Sequence, residues 1–129
     1  VATVTAVVRA VFEYALLRAV PRVQRGESIN VGVVLYSHDL DYLGAATYLD
    51  AERLRALDPE VDLAAVQDLL DAVCRTCEGA GPAGATPLRQ RFGWLTAPRS
   101  TVVQAGPIHL GLSDSPAAEL ARLLDELVR

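Results

Sequence analysis

The sequence predicts an α+β fold. In it an antiparallel sheet, with a three-strand N-terminal meander plus one or two C-terminal strands, buries one face under two amphipathic helices. Three observations predict this. Residues 11–49 hold three runs of β-branched, aromatic and aliphatic residues separated by short polar connections, as a meander requires. Residues 63–77 and 120–128 repeat apolar side chains at helical spacing. The 129 residues, 51% hydrophobic and 22% charged, suit one domain over 1–129 with a core of its own.

The elements follow in order. In VFEYALLRAV (11–20), Phe12, Tyr14, Leu16 and Val20 fall on one strand face and Val11, Ala15, Leu17 and Ala19 on the other. Pro21 ends the run, and PRVQRGES connects it to the next through Gly26. INVGVVLYS (29–37) is the strongest strand. Strict alternation sets Ile29, Val31, Val33 and Leu35 against Asn30, Gly32, Val34 and Tyr36. A third strand covers 43–49 after the HDLD turn.

Asp50 caps a short helix through Leu57, and Asp58-Pro59 reads as the N-cap and N1 of a longer helix to about Glu78. Its stripe is Leu63, Val66, Leu69, Leu70, Val73, Cys74 and Cys77, and Gly79 closes it. GAGPAGATP (79–87) is loop. Residues 99–105 and 108–112 read as short strands around Gly106-Pro107. Ser115-Pro116 opens a last helix with the stripe Leu120, Leu123, Leu124, Leu127 and Val128.

All twelve cations are Arg, against sixteen acids, for a net charge of −4. With pI ≈ 5.1 this argues against nucleic-acid binding, which favours a basic domain. No apolar run reaches the length of a membrane span, and VATVTAVVRA has no secretory-signal pattern. The charge is unevenly spread. Residues 1–36 carry +2 and 81–112 carry +3 with no acid, while 37–80 carry −7. If the fold joins the two cationic segments, a local anion site arises on an acidic protein. The bland alternative is solvated or locally paired arginines.

Cys74 and Cys77 form a C-x-x-C near the end of a helical pattern. There the helix dipole opposes thiolate formation, so inert core thiols in a reducing cytoplasm are the expectation. His38 and His109 are isolated, GAGPAG lacks the Lys-Ser/Thr of a phosphate loop, and the Asp residues of HDLD suit a turn. The residue pattern asks for no metal and no cofactor.

FEYALLRAVP (12–21) and RGESINVGVVLY (25–36) resemble the opening signature of domain-of-unknown-function family 3037. RFGWLTAPRSTVVQAGPIHLG (91–111) is similar to the carboxyl half of its actinobacterial members. The resemblance spans roughly residues 11–128, and Ser28 departs from it, where an aromatic or aliphatic residue is expected. It implies a small cytoplasmic protein without an assigned activity, with a HipA-like kinase as its partner.

The residues themselves suggest one polar constellation. A hairpin would gather Arg18, Arg25, Glu27 and Asn30, with Gly32 leaving room beside them, and Arg99, Ser100, Thr101, Gln104 and His109 would join from the later strands. Such a set suits a phosphate or carboxylate. Its structural alternative is a group of bonds tying a connection to the sheet edge. Two functions follow. The first is a non-enzymatic partner or adaptor protein, docking through a sheet edge and open to homodimer formation. The second is a small ligand-binding domain or enzyme acting on a phosphate- or carboxylate-bearing molecule.

Overall fold

A computed structural model of the chain describes residues 9–81 and 85–129. The alternating runs pair as their sequence predicts: β1 (Ala10–Ala19), β2 (Ile29–Ser37) and β3 (Tyr42–Thr47) form an antiparallel meander. A single 3-10 turn over Val23–Arg25 joins the first two, closed by Gly26 at φ 69, a left-handed conformation that glycine adopts without a Cβ clash. On the other side of β1, β4 (Val103–Ala105) and β5 (His109–Ser113) follow one another along the same strand. Between them the Gly106 N–H donates to the Leu16 carbonyl at 2.8 Å, and Pro107 has no N–H to give. The expected strand at 99–105 is shorter than its apolar run, beginning only at Val103. The Thr101 hydroxyl bonds the Val103 carbonyl and holds the preceding residues in a bend.

Strict alternation fails at one place. Leu17 faces Gly32 but Arg18 faces Asn30, so Val31 is an extra residue in β2, a β-bulge. Ile29 and Val31 therefore share a face with Val34 and Tyr36, while Val33 and Leu35 occupy the other. The grouping expected from simple alternation is corrected accordingly.

Helices α1 (Ala51–Leu57), α2 (Leu63–Glu78), α3 (Leu88–Thr96) and α4 (Pro116–Leu127) complete the α+β fold. Asp50 caps α1 as expected, accepting from the Arg53 N–H. Asp58-Pro59 does not start α2. Asp58 accepts from the Glu60 N–H in a separate turn, and Asp62 caps the helix through the Ala65 N–H. Gly79 ends α2 at φ 89, and the Ala80 N–H returns to the Arg75 carbonyl. Helix α3 was not expected from the sequence.

The sheet is covered on both faces, not on one. Val66, Leu70 and Cys77 of α2, Phe92 of α3 and Leu54 of α1 pack on Ala15, Leu17, Ala19, Val31 and Val34. Leu120 and Leu123 of α4, with Val128 just beyond it, pack on Phe12, Val33 and Leu35. Each large aliphatic side chain so buried contributes roughly 1.5–3 kcal/mol. Among the described residues no helix is long and apolar enough to cross a membrane.

Candidate functional site

The residues expected to share one site are distributed over four places, of which two adjoin: Arg99 and Gln104 line one cavity with Gly106. Arg18 lies opposite both Asn30 and Gln104, so the three form a polar row across β2, β1 and β4. The Arg18 guanidinium packs over Gly106, where a Cβ would come within 3.0 Å of it. Asn30 is committed elsewhere: its amide donates to the Leu127 carbonyl at 3.0 Å. With Arg53, which donates to the Val128 carbonyl at 3.2 Å, it caps the end of α4, where a positive group also suits the helix dipole. The room expected beside Gly32 is filled. A Cβ there would meet the Ala46 carbonyl oxygen at 2.9 Å and the side chains of Leu17 and Thr47.

Arg25 and Glu27 lie in the exposed turn before β2 and pair with each other at 2.5 Å. The hydrogen bond from Arg25, and then its charge, hold the Glu27 carboxyl below the ordinary carboxylate range. Arg99 belongs to the connection between α3 and β4 and donates to the Trp94 carbonyl, with Ser100 exposed beside it. His109 sits on β5 across from Tyr14, their rings 5.2 Å apart. Among the described residues no hydrogen bond or ion pair links Arg18, the Arg25–Glu27 pair, Arg99 and His109 to one another.

Three features escaped the sequence reading. Arg91, only 9% exposed, donates through Nη1 to the Thr76 and Cys77 carbonyls at the end of α2 and through Nε to Thr86. Among the described residues no carboxylate pairs with it; the negative end of α2 receives its charge. The second feature is a groove of about 250 Å³ between α2 and α3, lined by Leu69, Val73, Trp94 and Leu95 with Arg99 at its rim. The acid-free stretch 81–112 was the available signal for it. The third is the β5 corner. Leu110 and Leu112 are 69% and 61% exposed, on the sheet face they share with Val11. Their alternation with His109 and Gly111 is visible in the sequence, but not which face the helices leave bare.

The C-x-x-C thiols are free, Cys77 buried and Cys74 half-buried. Burial pushes the Cys77 thiol up to about 12, and burial likewise raises Cys74, which disfavours the thiolate at both positions. Among the described residues no group of three or more His, Cys, Asp or Glu is placed to hold a metal ion.

Residues 14–128 match the model of a family described as "Protein of unknown function (DUF3037)". Comparison with curated proteins and with solved structures found no match.

Proposed function

We propose that this chain, which belongs to the DUF3037 family, is a non-enzymatic docking protein whose β5 edge takes up a strand of another polypeptide. One observation carries the reading: β5 is an uncovered, uncharged edge with large apolar side chains in solvent. Among the described residues β5 pairs only with β1, so its outer row of backbone N–H and C=O groups is open. Proteins ordinarily guard such an edge with charges, Pro or a covering element. The segment HLGLS has no charge and no Pro. The opposite edge, β3, likewise pairs with one strand among the described residues, but α2 and α4 on its two faces leave its side chains part-buried. Added strands gain affinity from main-chain bonds, and alternate side chains supply selectivity. Leu110 and Leu112 lie on one face for that purpose.

The HipA-like kinase that the family resemblance implies is the first partner to test, and a second copy of the chain is the competitor for the same edge. Purified protein is sedimented alone and with the kinase at micromolar concentration, beside the variant Leu110→Lys. A complex or a dimer that weakens by about tenfold in the variant, roughly 1.4 kcal/mol, is the expected result. A chain that stays monomeric and ignores the kinase overturns the reading, as does a variant that associates like the wild type.

A further inference from the structure

We infer that the groove between α2 and α3 is a binding site for a small apolar carboxylate, with the anionic head on Arg99 and the apolar body against Trp94 and Leu69. The walls come from Leu69, Ala72 and Val73 of α2 and from Trp94 and Leu95 of α3. Trp94 and Leu69 remain 45% and 41% exposed, although Leu69 belongs to the apolar stripe of α2. The helices thus leave apolar surface facing a concavity instead of closing on it. Its volume of about 250 Å³ exceeds the roughly 150 Å³ that accommodates benzene in an engineered cavity, so a ring with a short chain fits.

The polar groups at the rim select the head group. The Thr76 hydroxyl donates to the Ala72 carbonyl within its own helix, and the Thr101 hydroxyl donates to the Val103 carbonyl. Both protons are engaged. Arg99 spends one nitrogen on the Trp94 carbonyl, and its remaining N–H groups have no acceptor among the described residues. No acid lines the groove, and residues 81–112 contain none. Of the other two arginines in that stretch, Arg89 reaches Glu13 and Arg91 is held by carbonyls. The side chains therefore offer one unmatched cationic donor at the mouth of an apolar trough. A single guanidinium fork matches the two oxygens of a carboxylate.

Trp94 is the only Trp in the chain, so its emission reads the groove directly. The protein is titrated with 4-phenylbutyrate and with the uncharged 4-phenylbutan-1-ol. A saturable change in Trp94 emission is expected with the acid, and binding about tenfold weaker with the alcohol. Arg99→Gln should erase that preference. Ala72→Leu, which fills the trough, should abolish both responses. Arg99 is exposed, so its variant remains informative even if Ala72→Leu fails to fold. Equal binding of acid and alcohol, a preference that survives Arg99→Gln, or no saturable change at millimolar probe overturns the inference.

Discussion

Arg91 is a cation held inside the protein by carbonyls alone. Three backbone oxygens, those of Thr76, Cys77 and Thr86, accept from it; the first two belong to the last turn of α2, where the Thr76 carbonyl also accepts from the Gly79 N–H. It therefore joins α3 to α2 more firmly than an exposed ion pair would, because the bond to the Cys77 carbonyl is buried and the other two are partly so. Arg91→Leu should cost about 1–3 kcal/mol in urea unfolding, since it strands the buried Cys77 carbonyl. A loss below about half a kcal/mol would show that water replaces the guanidinium without penalty. Nothing in the sequence marks this arginine, because Arg is ordinarily a surface residue. Asn30 and the Arg25–Glu27 pair were legible as polar groups at a sheet end. The partner of Asn30 was not, because Leu127 lies 97 residues further along the chain.

At the scale of elements, the strand runs were plain in the sequence because β-branched and aromatic residues alternate there. The bulge at Val31 was invisible because Val suits either face of a sheet buried on both sides. Gly32 stands beside that bulge and is tied to it. The carbonyl of Ala46 on β3 approaches so closely that a Cβ would fall 2.9 Å from it, and a backbone oxygen cannot rotate away as a side chain can. Gly32→Val should therefore lower stability by about 1–3 kcal/mol, measured by thermal or denaturant unfolding. An unchanged midpoint would mean that β2 and β3 separate there at no cost. Helix α3 was missed although Leu88, Phe92 and Leu95 keep helical spacing, because the run is only nine residues long between Pro87 and Pro98 and Gly93 lowers its helix propensity. The start of α2 was misplaced because Asp58-Pro59 and Asp62 both offer capping chemistry, and only tertiary packing chooses between them.

For the whole molecule, the α+β class was legible but the number of layers was not. Two apolar faces on β1 could be read from the sequence, whereas assigning α4 to the second face requires the path of the chain. Burial also gives the molecule a pH response. The Cys77 thiol, raised to about 12 chiefly by desolvation, keeps its proton in the folded state after the unfolded chain has lost it near 8.5. Its contribution is complete below about pH 8.5 and is lost as pH climbs toward 12. Cys74 and Tyr42, both raised by burial, act in the same direction. Unfolding free energy should thus fall above about pH 9 with a slope approaching about 1.4 kcal/mol per pH unit for one proton. Cys77→Ala should flatten that slope. A slope identical in the two proteins would remove Cys77 as its source.

The placement of α4 also bears on how the protein is made. Phe12, Val33 and Leu35 leave the ribosome well before Leu120 and Leu123, the helical side chains that cover them in the finished fold. Throughout that interval the nascent meander carries a naked greasy side, and the latches at Asn30 and Arg53 wait for carbonyls not yet synthesised. Translation pauses within residues 50–115 would prolong this vulnerable period, when chaperone capture competes with premature clumping.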